Sequence, residues 1–283
     1  MACAGSRINA ILDPLSMDIN PFDVLRITLE DTRKEQEMLL TEQRVKAYET
    51  EGFLPKIQIS DEAEATRFRK LFDELETKEG RERCQIGLID WHFDYQFIWE
   101  LATHPTILDC IESLIGPDVM LLATHFFCKY GPDEKKFVAW HQDVTYWGLE
   151  PPEAITAWYA IDDSDLENGC MRVIPSTHRP GIREHGKSKQ VGNLLSINQE
   201  IPDEYVDTSR AVDLELKAGQ MSVHDGQVFH ASNSNTSDRR RCGLTVRFVP
   251  PQVKQVEMNS LGHTWEPVLV RGEDRYRHFP ETP

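Results

Sequence analysis

The part of the sequence after Gly116 is a series of short β-type segments separated by turn residues. Val212, Leu214 and Leu216 alternate with charged residues, which is the pattern of a strand with one buried face. Parallel strands need a long crossover between them, and no helical pattern interrupts the series. We therefore predict a mainly β fold with some α, built on an antiparallel sandwich or barrel. The β-type segments cover residues 119–130, 155–161, 170–174, 212–216, 221–224 and 244–249.

The chain before Gly116 carries helical patterns instead. Apolar residues recur at helical spacing over residues 61–75 and again after Pro105. Residues 29–51 are rich in Glu, Lys, Arg and Gln, and Gly52 follows as a helix stop. We predict an N-terminal extension over residues 1–25 and a single domain over residues 26–283. That domain comprises a helical layer over about 26–116, a jelly-roll core over about 117–250 and a C-terminal segment over 251–283.

Charge and cysteine content argue against several classes of partner. The net charge of −16 disfavours nucleic acid and anionic membranes, because both attract positive surfaces. Six cysteines occur without a C-x-x-C pair, which is typical of a reducing compartment. The sequence has no signal-peptide pattern and no apolar run long enough to cross a bilayer. We predict a cytoplasmic protein that acts on a small molecule, and the sequence predicts no particular oligomeric state.

His141-Gln142-Asp143 and the downstream His230 form a candidate metal site. Side chains alternate along a strand, so His141 and Asp143 point to the same side. Two imidazoles and one carboxylate suit non-haem Fe(II) with open coordination positions. The alternatives are a polar pair in a turn for the first two residues and a core histidine for His230. His224 is the competing histidine on the same predicted strand region, and we interpret it as structural.

Arg241 follows His230 within a run of three arginines. A guanidinium inside a β-barrel, beside a metal, is suited to bidentate capture of a carboxylate. We predict that Arg241 is this buried anion-binding residue and that Arg239 and Arg240 face solvent. Arg247 lies an even number of residues further along and hence on the same strand face, which makes it the alternative anion contact.

In these motifs the chain resembles the phytanoyl-CoA dioxygenase family of Fe(II)- and 2-oxoglutarate-dependent oxygenases, over residues of about 40–279. The resemblance implies a double-stranded β-helix, the cupin-like form of the jelly roll. It rests on His141-Gln142-Asp143, Ala157-Trp158, Glu167-Asn168-Gly169-Cys170, Ile174-Pro175-Ser176-Thr177-His178, and His230-Ala231-Ser232 followed by Arg241.

The resemblance also implies roles for individual residues. His141, Asp143 and His230 resemble the iron ligands. Four further residues resemble the family's 2-oxoglutarate contacts, namely Arg241, Ser232, Trp158 and, on a looser alignment, His125. The family's upstream lysine is missing from residues 86–89, so either Lys129 replaces it or the contact is absent.

The implied reaction consumes 2-oxoglutarate and O2, releases succinate and CO2, and hydroxylates an unactivated C–H bond. The Asp143 carboxylate favours hydroxylation over chlorination, because halogenating relatives have a small residue there. No basic cluster outside the tail suits coenzyme A, so we expect a small polar metabolite or natural-product intermediate, such as an amino acid or 2-aminoethylphosphonate. The predicted substrate pocket comprises Tyr146, Trp147, Lys129, Arg247 and Arg271. Residues 270–276 are predicted to cover its mouth as a lid.

Three alternative functions follow from the same residues. A catalytically silent metal-binding barrel would serve as a sensor or scaffold, but it would be free to lose Asp143 or Arg241. A same-fold oxygenase would catalyse desaturation or ring chemistry with the same cosubstrate. A cupin-like Zn or Mn hydrolase or isomerase would need neither 2-oxoglutarate nor Arg241.

Overall fold

The first two helices begin after capping residues that the sequence supplies. The computed structural model describes residues 40–280. Helix α1 begins after Thr41, whose hydroxyl accepts a hydrogen bond from the backbone of Arg44, and ends at Gly52 with φ of 83°. Helix α2 begins after Asp61, which caps Glu64 in the same way. The helices are α1 (Glu42–Glu51), α2 (Glu62–Glu79), α3 (Arg81–Ile86), α4 (Gln96–Ala102) and α5 (Pro105–Ile115).

The helices predicted over residues 61–75 and from Pro105 are present, as α2 and α5. Their apolar faces enter the main core, where Phe72 of α2 lies 4.8 Å from Phe126 between ring centroids. Burial of each such large apolar side chain stabilises the fold by about 1.5–3 kcal/mol. The predicted extension over residues 1–25, and residues 26–39 of the predicted helical layer, lie outside the described residues.

The region expected to be a helical layer also contributes a strand, which the sequence patterns did not indicate. Strand β1 (Phe53–Gln58) pairs antiparallel with a strand of the main sheet. Its ladder is irregular between Leu54 and Ile57, and Lys56 has a positive φ of 53°. This irregularity breaks the period-two alternation that identifies a strand in a sequence.

Two antiparallel sheets form the β core, as the jelly-roll prediction requires. The larger sheet has the order β1-β10-β5-β12-β2-β14, and the smaller has the order β3-β11-β6-β9. Two short pairs, β4 with β13 and β7 with β8, complete the described ladders. The remaining strands are β2 (Val119–Lys129), β3 (Val138–His141), β4 (Leu149–Glu150), β5 (Ile155–Ala160), β6 (Met171–Ile174), β7 (Gly186–Lys187), β8 (Gln199–Glu200), β9 (Val212–Leu214), β10 (Gln220–Asp225), β11 (Phe229–Ser232), β12 (Arg241–Val249), β13 (Lys254–Gln255) and β14 (Val268–Arg271).

Strand pairing brings the distant motifs together. β11 pairs with β3 so that His230 lies opposite His141. Across the core, β12 pairs with β5, and Thr245 lies opposite Trp158. Gly243 makes room for the Trp158 indole, because a Cβ at this glycine would lie 2.0 Å from the ring. Within residues 40–280, no helix is long and apolar enough to cross a membrane.

Candidate metal centre and adjoining cavities

The three predicted metal ligands meet at one point. One ligand atom from each of His141, Asp143 and His230 lies within 4.8 Å of the others. The Nε2 atoms of His141 and His230 lie 3.4 and 3.7 Å from Oδ1 of Asp143. All three side chains are buried. Two nitrogens and one oxygen at these separations can bind a single divalent ion and leave its other face open.

Backbone carbonyls fix the orientation of both histidines. Nδ1 of His141 lies 2.9 Å from the carbonyl oxygen of Ala139, and Nδ1 of His230 lies 3.1 Å from that of Val228. A carbonyl oxygen only accepts, so each Nδ1 carries the proton and donates it. The lone pair of each Nε2 is therefore directed at the centre, as a metal ligand requires.

The carboxylate of Asp143 is oriented by a neighbouring hydroxyl. Oγ1 of Thr156 donates to Oδ2 at 2.8 Å, which leaves Oδ1 facing the two histidines. Burial raises the pKa of Asp143, but the surrounding His230, His141 and His224 outweigh burial and hold this pKa well below its usual range. Asp143 is therefore ionised, and its free oxygen is available to a cation.

His224 lies beside the centre without belonging to the three-ligand cluster. Its Nε2 is 3.5 Å from Oδ2 of Asp143, and its ring centroid is 4.4 Å from that of His230. Neither of its ring nitrogens has a hydrogen-bond partner among the described residues. His224 is thus a neighbour of the Asp143 oxygen that faces away from the ligand histidines, a position that sequence spacing did not reveal.

An inner cavity of about 460 Å³ joins the metal centre to Arg241. The guanidinium of Arg241 lies 4.4 Å above the ring centroid of Trp158, and only 2% of the residue is exposed. Burial lowers its pKa to about 10, which leaves it charged at neutral pH. Arg241 pairs with no carboxylate within the described part of the chain, and its Nε has no hydrogen-bond partner there.

A buried cation without a counterion is costly unless a ligand supplies the negative charge. The inner cavity therefore fits a small carboxylate bound between Arg241 and the metal centre. Ser232 lines the same cavity, as does Trp158. The structure thus brings three of the four predicted 2-oxoglutarate contacts together around one space.

Lys129 lies behind the cavity wall rather than in it. Its Nζ donates to the hydroxyl of Ser232 at 2.6 Å, to the carbonyl of Gly169 at 3.2 Å and to the carbonyl of Asn233. The residue is buried, stands opposite Arg241 in the β2–β12 ladder, and lines neither cavity at the metal centre. Lys129 therefore acts on the cavity through Ser232, and the structure does not bring it to the substrate pocket.

An outer cavity of about 660 Å³, measured with its open mouth, lies on the other side of the metal centre. Tyr146, Trp147 and Arg247, three residues of the predicted substrate pocket, line it, and Arg247 lines the inner cavity as well. The sequence patterns missed two loop segments that complete its wall, residues 195–199 and 259–265. Apart from Trp265, an aromatic residue outside every predicted strand, neither segment carries a motif or periodic pattern.

His125 lies in the outer cavity and not beside Arg241. Its Nε2 donates to the carbonyl of Ile86 at 2.7 Å. Burial, followed by the nearby charge of Arg247, lowers the pKa of His125 to about 3, so the ring is neutral. Its position favours a contact with the substrate over the predicted contact with the cosubstrate.

Two predictions about arginines need correction. Arg271 lines neither cavity at the metal centre, because its guanidinium pairs with Asp109 and Glu112 of α5 at 2.6 and 2.5 Å. Arg240 does not face solvent, because its side chain is 18% exposed and pairs with Asp162 at 2.8 Å. Arg239 is 43% exposed, as predicted.

The C-terminal segment does not cover the cavity in the predicted way. The backbone N–H of Glu273 donates to Asp118 at 2.8 Å, so residues 271–273 are attached at the start of β2. The part of the segment that reaches the outer cavity is residues 259–265, which come earlier in the chain.

Comparison with known proteins gives consistent matches. The model of the family described as phytanoyl-CoA dioxygenase (PhyH) matches residues 37–243. The human "Phytanoyl-CoA dioxygenase, peroxisomal" is 25% identical over 246 residues, which are 78% of this chain and 72% of that protein. The Dictyostelium discoideum "Phytanoyl-CoA dioxygenase domain-containing protein 1 homolog" is 34% identical over 110 residues, which are 38% of this chain and 39% of that protein.

Solved structures match as well. The non-heme monooxygenase ThoJ, in its apo form, has a TM-score of 0.69 and 28% identity, over 84% of this chain and 87% of that one. CytC3 with Fe(II) and alpha-ketoglutarate has a TM-score of 0.65 and 24% identity, over 87% of this chain and 93% of that one, and supports the fold.

Proposed function

The chain belongs to the phytanoyl-CoA dioxygenase family and is an Fe(II)- and 2-oxoglutarate-dependent oxygenase, and from this premise we propose that it hydroxylates an unactivated C–H bond of a small molecule. The observation that carries the proposal is the buried Arg241, which has no ion-pair partner within residues 40–280 and lies across one cavity from three converging ligands. A silent scaffold or a hydrolase would have no use for this cation.

Five residues of the inner cavity have roles in the proposed reaction. His141, Asp143 and His230 would hold Fe(II), which when bound would supply the activation of O2 that is coupled to decarboxylation of 2-oxoglutarate. Arg241 binds the distal carboxylate of 2-oxoglutarate through a charge-assisted pair, and Ser232 donates to the same group. Both contacts fix the cosubstrate relative to the metal, which supports catalysis by orientation.

The atoms balance with hydroxylation as the outcome. One substrate C–H bond, one O2 and one 2-oxoglutarate give one alcohol, one succinate and one CO2. One oxygen atom of O2 enters the alcohol and the other enters succinate. Oδ1 of Asp143 occupies the position that a halide would need, which favours hydroxylation over chlorination. Desaturation and ring chemistry use the same cosubstrate. They are distinguished from hydroxylation by measuring whether the product has gained an oxygen atom.

The test is succinate formation from 2-oxoglutarate by the full chain with Fe(II) and ascorbate under air. We expect succinate above background in the absence of substrate, and its loss by more than about 100-fold in Asp143→Ala, because a ligand and its charge are removed. His278→Ala is the control, since this histidine is exposed and outside the site. Iron binding without any succinate, in the presence of a broad metabolite panel, would favour the scaffold.

We also propose that the protein works in the cytoplasm. The five cysteines within residues 40–280 are free thiols and are buried, which is consistent with a reducing compartment. Imaging of the tagged full chain tests this proposal, and co-localisation with peroxisomes would contradict it.

A further inference from the structure

The outer cavity contains a second arginine without an acidic partner. Arg247 lies on β12, lines both cavities and forms no ion pair with any residue that the structure describes. Its guanidinium lies 5.1 Å from the ring centroid of Trp147, and its buried Nε has no hydrogen-bond partner among the described residues. Several other arginines within residues 40–280 pair with carboxylates, as Arg172 does with Asp213 at 2.7 Å. Unlike Arg241, Arg247 is only partly buried, and the charges of Asp90 and Asp143 act on it without forming an ion pair, so its guanidinium remains available to an anion in the outer cavity.

The remaining charge in the outer cavity is small. Its lining contains one acidic residue, Asp143, whose carboxylate faces the metal centre. His125 is neutral, because burial and the charge of Arg247 lower its pKa to about 3. Arg247 is therefore the single permanent cation of the lining. The cavity has one position for an anion and no free carboxylate for an ammonium group.

The rest of the lining is largely apolar and aromatic. Phe127, Trp147 and Trp265 provide ring surfaces, and Ile89, Leu195 and Leu261 provide aliphatic surfaces. Trp147 and Trp265 lie 5.8 Å apart between ring centroids at an angle of 67°. Pockets of roughly 300–1,000 Å³ with such walls bury the body of a small organic molecule.

We propose that the substrate is an amphipathic monoanion whose carboxylate, or similar anionic group, pairs with Arg247. Its apolar body lies against Trp147 and Trp265, with the reacting carbon near the point where His141 and Asp143 line both cavities. This inference rests on the proposed oxygenase function and narrows its substrate class. It disfavours the zwitterions expected from the sequence, because the lining offers an ammonium group neutral acceptors, such as the buried Oε1 of Gln199, but no free carboxylate.

The experiment uses three probes with the same body, namely phenylpropionate, phenylpropionamide and phenylalanine. Their binding to the full-length protein is measured by calorimetry under anaerobic conditions, with Fe(II) alone and with Fe(II) plus 2-oxoglutarate. We expect phenylpropionate to bind about tenfold or more tightly than the amide and the amino acid, because it alone gives Arg247 a charge-assisted pair without burying an ammonium group. Equal binding of the three, or no binding of phenylpropionate, would overturn the proposal.

Two variants separate Arg247 from the cosubstrate site. Arg247→Gln should abolish the preference for phenylpropionate and leave the Kd of 2-oxoglutarate within about twofold, and Arg247→Lys should keep part of the preference. If Arg247→Gln weakens 2-oxoglutarate binding instead, the residue belongs to the cosubstrate site and the proposal is wrong. Arg247→Lys and thermal unfolding guard against a folding defect in Arg247→Gln.

The proposed function fails separately from this inference. The probes are also titrated without 2-oxoglutarate, so their binding is measured independently of the cosubstrate. If the unmodified protein does not bind 2-oxoglutarate, the proposed oxygenase function is wrong, however the probes bind. If the protein binds 2-oxoglutarate normally but binds the three probes equally, only the proposed substrate class is wrong.

Discussion

The inner and outer cavities share the metal centre but are built from different parts of the fold. The inner cavity is lined almost entirely by strand residues of β2, β3, β5, β6, β10, β11 and β12. Much of the outer wall comes from the loop segments 195–199 and 259–265. Strands that pair across a sheet hold side chains more rigidly than loops do. The residues of the inner cavity thus lie on the rigid scaffold, whereas much of the outer wall, though not Arg247 of β12, lies on segments free to vary.

The largest expected effect tests the inner cavity, which is built almost entirely from strand residues. Arg241→Gln should raise the KM for 2-oxoglutarate roughly 100-fold, because a buried charge-assisted pair is lost at the distal carboxylate. Steady-state succinate formation measures this effect. Arg239→Gln is the matched control, since Arg239 stands two residues earlier and pairs with Asp165 on the surface. Equal effects from both substitutions would contradict the assignment of the inner cavity to the cosubstrate.

An intermediate effect should come from the hydroxyl behind the metal ligand. Thr156→Val removes the hydrogen bond to Oδ2 of Asp143 and leaves the shape of the side chain nearly unchanged. Hydrogen-bond partners of metal ligands contribute about 10–100-fold to metal affinity, so we expect a loss of about tenfold. Anaerobic Fe(II) titration followed by calorimetry measures it. Thr103→Val is the control, because that hydroxyl bonds to the carbonyl of Trp99 outside the site.

The smallest expected effect should come from substitutions in the loop segments that line the outer cavity. Leu261→Ala trims the outer wall, so it should weaken binding of an apolar substrate about threefold and leave uncoupled succinate formation unchanged. Met258→Ala, a substitution at a 66%-exposed residue just before this segment, is the control and should change neither quantity. A loss of uncoupled turnover in Leu261→Ala would show that the loops also shape the cosubstrate site, and the division between the two cavities would not hold.

The same division explains which features the sequence predicted. Alternation along β9 and the His141-x-Asp143 motif are local patterns, and they indicated a strand and a group of residues that could hold a metal ion. The expected strand ends at His141, however, and Asp143 begins a short 3-10 helix. Strand pairing then brought His230 to His141 without any local signal being needed.

The errors concern residues whose partners are distant in sequence. Arg271 pairs with Asp109 and Arg240 with Asp162, and nothing near either arginine indicates these pairs. The outer loops have no periodic pattern because their side chains meet a cavity and not a regular packing surface. Strand β1 escaped notice because its irregular ladder breaks the alternation.

The burial of Arg241 without a counterion also has a thermodynamic consequence for the lifetime of the protein. A ligand that binds only the native state stabilises it in proportion to the logarithm of its free concentration over Kd. Since the dianion supplies the charge that Arg241 lacks, the folded population rises with the supply of 2-oxoglutarate. In a cell, the abundance of this chain would then follow central carbon metabolism through resistance to unfolding and proteolysis, before any substrate is turned over.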